Sequence, residues 1–103
     1  MTRVVAFVDD LMDRSKLSGA VPQCEFVRAP EECAGADVVV VDLARHSDAV
    51  AAVRAVAPAA RLVAFGPHVD DLLLQRARTD GADVVLLRSQ FFRSPAAAVT
   101  GEI

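Results

Sequence analysis

Four short runs of unbroken apolar residues recur along the chain, and they are the strongest constraint on its fold. They occupy residues 4–8, 38–41, 62–65 and 84–87, and charged or turn-forming residues end each of them. Runs of this length that are rich in β-branched residues are typical of strands buried on both faces, as in parallel sheets. A weaker segment at residues 24–28 alternates apolar and polar side chains, which predicts an edge strand with one solvent-exposed face.

The segments between these runs have helical character. Residues 48–56 repeat Ala and Val at helical spacing, and residues 10–18, directly after the first strand, could form another helix. A further helix is predicted over residues 69–78, with Gly81 as its C-terminal stop signal. Residues 31–34 allow only one turn, and the last helix has only a few residues before Gly101. Strands alternating with helices predict right-handed βαβ units and an α/β fold with shortened second and last helices. The length of 103 residues fits one domain spanning residues 1–103.

Composition and charge exclude several classes of protein. The chain is 53% hydrophobic with a formal net charge of −3, which argues against disorder and against a nucleic-acid-binding surface. No apolar run approaches the ~18 residues that span a bilayer, so we expect no membrane segment and a cytoplasmic location. Cys24 and Cys33 lack CxxC spacing and are predicted to be reduced structural thiols. No glycine-rich phosphate loop or nucleophilic triad pattern is present, so we predict neither an enzyme nor a small-molecule substrate.

Carboxylates follow the first and third predicted strands. Asp9 and Asp10 end one run and Asp42 ends another, so all three should meet at the carboxyl edge of the sheet. Carboxylates in close proximity repel unless one is protonated or a cation enters, and oxygen ligands of this kind suit Mg²⁺. We therefore predict a weak Mg²⁺ site at these residues. The alternative is that the acids are solvated and cap the following helices.

These features resemble the receiver domain of response regulators, the flavodoxin-like (CheY-like) module that accepts a phosphoryl group on aspartate. The resemblance covers residues 4–92, and the chain also resembles small uncharacterised bacterial receiver-like proteins. Asp9 and Asp10 match the family's acidic pair, and Asp42 matches its phospho-acceptor. The resemblance implies a three-layer sandwich whose five-stranded parallel sheet has the order 2-1-3-4-5.

Three positions depart from the family pattern. Gly66 stands where receivers have Thr or Ser, Arg88 where they have Lys, and Val85 where they have the switch aromatic. Glycine offers no hydroxyl to a phosphoryl oxygen, and arginine is a bulkier, planar cation than lysine. The departures imply a degenerate receiver that acts as a non-catalytic signalling or protein-interaction module. The alternatives are a working phospho-acceptor in a two-component phosphorelay, using Asp42 and Mg²⁺, and a small oligomeric scaffold without phosphorylation.

Other charged residues belong to the same predicted edge. We expect Arg88 to neutralise Asp42 as an internal counter-ion, with phosphate anchoring as the alternative. His68 and His46 lie on loops, where a ligand or proton-carrying role competes with a plain surface position. Arg14, at the start of the segment 14–16, either reaches anionic ligand oxygens or forms surface ion pairs.

The short last helix suggests that apolar area near the fourth and fifth strands stays open. Receivers commonly associate through the fourth helix, fifth strand and fifth helix, so the resemblance implies a homodimer or a protein partner at this surface. The candidate anchors are apolar side chains of these segments: Leu73, Phe91, Phe92 and Val99. For the two phenylalanines, packing in the core is the favoured alternative, and Ala-rich packing would instead leave a monomer.

Overall fold

A five-stranded parallel sheet forms the centre of the computed structural model, which describes residues 2–67 and 69–101. The strands are β1 Val4–Phe7, β2 Glu25–Phe26, β3 Val38–Asp42, β4 Arg61–Gly66 and β5 Val84–Leu87. Their order is β2-β1-β3-β4-β5, and every neighbouring pair is parallel. The sheet confirms the predicted flavodoxin-like fold, with the alternating segment as a two-residue edge strand.

Helices cover both faces of this sheet. They are α1 Leu11–Ala20, α2 Leu43–His46, α3 Ala49–Val56, α4 Asp71–Asp80, α5 Arg88–Arg93 and α6 Pro95–Thr100, with a 3₁₀ helix at Pro30–Cys33. On one face Val39 and Leu62 pack with residues of α3, α4 and the 3₁₀ helix. On the other face Val40 and Phe65 pack with residues of α1, α5 and α6. None of the helices in the described part of the chain is long and apolar enough to cross a membrane.

Local signals in the sequence explain where the two longest helices begin and end. Asp10 caps α1 by accepting the Asp13 amide at 3.0 Å, and Asp70 caps α4 by accepting the Leu73 amide at 3.0 Å. Gly81 ends α4 with a φ of +120°, a conformation that L side chains rarely adopt. The two capping residues, Asp10 and Asp70, place the beginnings of both helices at the carboxyl edge of the sheet.

The second and last crossover segments are short, as the sequence predicts. The 3₁₀ helix and α6 have four and six residues. Helix α5 was not predicted, because Arg88 and Ser89 looked like the end of a strand. In the structure the Gln90 carboxamide accepts the Leu87 amide at 2.9 Å, which caps a six-residue helix directly after β5. This helix brings Phe91 into a stack on Phe65, with ring centroids 4.7 Å apart.

Arginines hold the loops at the amino edge of the sheet. The Arg54 guanidinium donates to the carbonyls of Gly81 at 2.8 and 3.0 Å, Ala60 at 2.8 Å and Pro58 at 3.0 Å, and pairs with Asp83 at 2.7 Å. Because these carbonyls belong to loops that precede β4 and β5, one side chain fixes both connections. At the same edge Arg3 donates to the carbonyls of Ala34 and Glu32, and Arg61 to that of Ala98.

Candidate functional site

Asp42 is the buried carboxylate at the centre of the candidate site. It is the last residue of β3 and is only 5% exposed. Its Oδ1 accepts the Ala44 amide at 3.0 Å, so the side chain caps the short helix α2. Burial raises the pKa of Asp42 above its usual value of 3.8, while the Ala44 amide and the nearby Arg88 act in the opposite direction. Burial therefore disfavours the charged form of the Asp42 side chain.

Asp9 and Asp10 lie at the same edge but are exposed. Asp9 Oδ2 lies 2.9 Å from His46 Nε2, so His46 is joined to the acidic edge rather than isolated on a loop. The Asp13 amide lowers the pKa of Asp10 more strongly than the opposing effect of burial raises it. Within residues 2–67 and 69–101, no group of three or more His, Cys, Asp or Glu side chains is arranged to hold a metal ion. A Mg²⁺ ion at this edge would depend on few carboxylates and on water, which is how Mg²⁺ is commonly bound.

Arg88 forms its ion pair with Asp13, not with Asp42 as the sequence analysis predicted. Both terminal nitrogens of Arg88 donate to the two Asp13 carboxylate oxygens, with Nη1 2.7 Å from Oδ2. This hydrogen bonding raises the pKa of Arg88. The guanidinium also lies 4.9 Å from the ring centroid of Phe92. The bidentate contact engages both terminal nitrogens of the guanidinium.

Asp13 is the site residue that sequence reasoning missed. It is 2% exposed, on the first turn of α1, and its side chain faces the end of β5. The available signal was its position four residues before Leu17, which is fully buried, because residues at this spacing share one face of a helix. An acid on the buried face requires a partner, and Arg88 supplies it across 75 residues of sequence.

Gly66 stands where receivers carry a side chain with a hydroxyl, and apolar side chains pack closely around it. A Cβ atom here would lie 3.1 Å from Leu74 Cδ2 and 3.4 Å from Leu43 Cβ. Leu43 is the residue directly after Asp42, and Leu74 lies on the buried face of α4. A side chain at this position would therefore require Leu74 or Leu43 to shift by a few tenths of an ångström.

The predicted interface residues divide into two groups. Phe91 is fully buried and Val99 is 5% exposed, so both belong to the chain's own core and cannot anchor a partner. They are buried because α5 and α6 fold back over β4 and α1. Leu73 and Phe92 are half-buried, as are all four residues of β5. A partly open apolar edge therefore remains, formed by β5 and Leu73.

The remaining predicted residues have simpler surroundings. His68 lies outside the described residues. Arg14 donates from Nε to the Val8 carbonyl at 2.6 Å, and Lys16 Nζ lies 5.4 Å from the Phe92 ring centroid. Cys24 and Cys33 are free thiols, and burial raises the pKa of each to about 11, which disfavours the thiolate form at neutral pH.

Solved structures share this architecture. A response regulator protein from Burkholderia pseudomallei, with a phosphorylated aspartic acid, a calcium ion and citrate, matches with a TM-score of 0.80 and 16% identity over 96% of this chain and 66% of the other. A response regulator from Hahella chejuensis matches with a TM-score of 0.77 and 18% identity over 98% and 93% of the two chains. A CheY-like protein, TadZ, from Pseudomonas aeruginosa matches with a TM-score of 0.74 and 18% identity over 99% and 96%.

No family model and no curated protein matches the chain. The structural likeness shows that the chain has the receiver-domain fold, in agreement with the resemblance seen in the sequence. Since fold alone does not determine activity, the function has to be argued from the site.

Proposed function

We propose that this chain is a single pseudo-receiver domain: a non-catalytic, cytoplasmic signalling module that acts through protein contacts and not by accepting a phosphoryl group. The observation that carries the proposal is the Arg88–Asp13 ion pair. Arg88 takes the place of the lysine that pairs with the phosphoryl group in receivers. Because Asp13 already engages it in a bidentate contact, a phosphoryl group on Asp42 would have to displace a buried carboxylate.

The surroundings of Gly66 support the same conclusion. A phosphoryl group carries negative charge that needs donors placed around it. Leu74 and Leu43 occupy the space beside Gly66, and Asp42 itself is 5% exposed. Three features therefore disfavour phosphorylation: Asp42 is buried, Gly66 offers no hydroxyl, and Arg88 is already paired with Asp13.

Incubation with Mg²⁺ and acetyl phosphate tests this proposal. We expect the intact mass of the chain to remain unchanged under conditions in which a working receiver domain is modified. The Asp42→Asn variant serves as the matched control, because it replaces the acceptor carboxylate with a carboxamide of nearly the same size. A gain of one phosphoryl group in the native chain that is absent in Asp42→Asn would establish the phospho-accepting alternative.

A second copy of the chain is the partner that the open edge supports best. The four residues of β5, the edge strand of the sheet, are half-buried, and Leu73 packs with Val85 and Leu87 on one face of it. Two-fold homodimers are the commonest closed assembly, and self-complementary apolar patches favour them. Light scattering at micromolar concentration should give the mass of two chains. Leu73→Glu should convert the dimer to monomer, whereas Leu11→Glu, at a 79% exposed position away from this edge, should not. A monomeric native chain would contradict the homodimer.

A further inference from the structure

A cleft of about 430 Å³ lies beside Asp42 and shares Asp9 and His46 with the acidic edge. It is lined by Asp9, Leu11, Arg14, Arg28 and His46. These residues come from the end of β1, the start of α1, the segment after β2 and the end of α2. The volume falls in the range of sites that hold small molecules. Two arginines and a histidine in one cleft are a concentration of basic groups in a chain whose net charge is −3.

Arg14 is held in a fixed orientation inside this cleft. Its Nε donates to the Val8 carbonyl at 2.6 Å, and its guanidinium carbon lies 5.0 Å from the centroid of the Phe26 ring. Within the described part of the chain, its two terminal nitrogens have no hydrogen-bond partner. A guanidinium fixed by its Nε and by an aromatic ring presents its remaining donors as a preorganised fork, which lowers the entropic cost of binding an oxyanion.

Arg28 supplies a second guanidinium. The residue is exposed, and its side chain makes no ion pair or hydrogen bond among residues 2–67 and 69–101. Glu32 Oε2 accepts both the Arg28 and Ala29 amides, at 2.8 and 2.9 Å, and these hydrogen bonds, helped by the Arg28 charge, lower the pKa of Glu32. The Arg28 guanidinium makes no ion pair within 4.0 Å in the described part of the chain, so its donors remain available to a ligand.

His46 and Asp9 form the remaining polar wall. Their side chains lie 2.9 Å apart, and the imidazole also packs against Phe7 with ring centroids 5.5 Å apart. The contact fixes the Asp9 carboxylate against His46, so the charge of Asp9 is held on that wall of the cleft. Leu11, which is 79% exposed, gives the cleft its apolar rim.

We propose that this cleft binds a small phosphomonoester, with its phosphate between Arg14 and Arg28 and its organic part against Leu11. A phosphate dianion matches two guanidiniums, whereas a single carboxylate neutralises only one. The volume of about 430 Å³ leaves room for more than the phosphate itself. The cleft lining does not include Asp42 or Arg88, so binding there does not require that Asp42 accept a phosphoryl group.

Titration of the native chain with glycerol 3-phosphate, followed by amide NMR spectra, tests the proposal. We expect saturable shifts at residues 8–14, 28 and 46, and about tenfold weaker binding in Arg14→Gln and in Arg28→Gln. Arg28→Gln keeps the experiment interpretable if Arg14→Gln disturbs the fold, because the Arg28 side chain holds no other residue. Arg78→Gln, at an exposed position on α4, removes the same charge elsewhere and should bind as tightly as the native chain.

Parallel titrations with inorganic phosphate, a nucleoside 5′-monophosphate and citrate define the ligand class. Tighter binding of either ester than of inorganic phosphate would support a role for the organic part. Shifts scattered over the surface, or equal weakening by Arg78→Gln, would show diffuse charge attraction and overturn the site. Citrate binding as tightly as the phosphomonoesters would overturn the preference for phosphate.

Discussion

The two edges of the sheet treat their charged side chains in different ways. At the amino edge Arg54 donates to carbonyls of Pro58, Ala60 and Gly81, so its charge stabilises loops. At the carboxyl edge two buried carboxylates lie near one arginine, and Asp42 keeps a raised pKa. The charge of Arg54 at the amino edge stabilises the fold, whereas burial of the charged form of Asp42 at the carboxyl edge is unfavourable. Side chains that a protein keeps at an energetic cost are where function is most reasonably sought.

Removing the amino-edge clamp should have the largest effect on stability. Arg54→Met preserves the aliphatic stem but leaves several loop carbonyls without their donor, so the free energy of unfolding should fall by about 4 kcal/mol. Denaturant unfolding measures this loss. The matched control is Arg76→Met on α4, where one exposed ion pair to Asp80 at 3.7 Å should contribute no more than about 0.5 kcal/mol. Similar losses in the two variants would show that Arg54 is not a structural clamp.

Removing the cation of the carboxyl edge should have the next largest effect. Arg88→Gln leaves Asp13, 2% exposed, without its counter-ion, and should lower the free energy of unfolding by about 3 kcal/mol. The same denaturant measurement applies, with Arg78→Gln as an exposed control. A loss below about 1 kcal/mol would mean that Asp13 reaches solvent or another partner.

Neutralising Asp42 should stabilise the chain. Asn caps helices as well as Asp does, so Asp42→Asn keeps an acceptor for the Ala44 amide and removes only the buried charge. We expect a gain of about 1 kcal/mol at pH 7. In the pH range from 3.8 up to the raised pKa of Asp42, the native state binds more protons than the unfolded state, so this group makes stability fall as pH rises.

The pH dependence of the difference between the two proteins tests this assignment. The advantage of Asp42→Asn should grow as pH rises through the raised pKa and become constant above it. An Asp42→Asn variant that is less stable than the native chain at pH 7 would contradict the account of Asp42 as a costly charge.

Magnesium should have the smallest effect. A weak site at the acidic edge predicts a rise in melting temperature of about 2 °C in millimolar MgCl₂ relative to NaCl of equal ionic strength. Asp10→Asn should abolish the rise while keeping the cap of α1, since Asn also accepts the Asp13 amide. An equal rise in Asp10→Asn would show that the cation binds elsewhere.

Features written in local sequence were predictable, and long-range side-chain partners were not. The Val-rich runs predicted the strands, and Gly81 predicted the end of α4, because burial on both faces and a positive φ each leave a local signature. The hydrogen-bonded partner of Arg88 was predicted wrongly, although Asp13 and Asp42 both lie near enough to raise the pKa of Arg88. Only Asp13, on the buried face of α1, contacts the guanidinium directly.

Helix α5 was missed for a related reason. Its capping contact joins Leu87 to Gln90 across the end of a strand, where the charged residue Arg88 suggested a loop. Helices α5 and α6 bury Phe91 and Val99 in the core, so the predicted interface wrongly included these two residues. Of the predicted interface, the half-buried residues of β5 remain accessible.

A double-mutant cycle tests most directly the claim that Arg88 belongs to Asp13 and not to Asp42. Unfolding free energies would be measured for Arg88→Gln, Asp13→Asn and Asp42→Asn and for the two double variants that contain Arg88→Gln. The structure predicts a coupling energy of about 2 kcal/mol between Arg88 and Asp13, and less than half of that between Arg88 and Asp42. Equal coupling to both acids, or stronger coupling to Asp42, would place Arg88 at the acceptor and contradict the pseudo-receiver assignment.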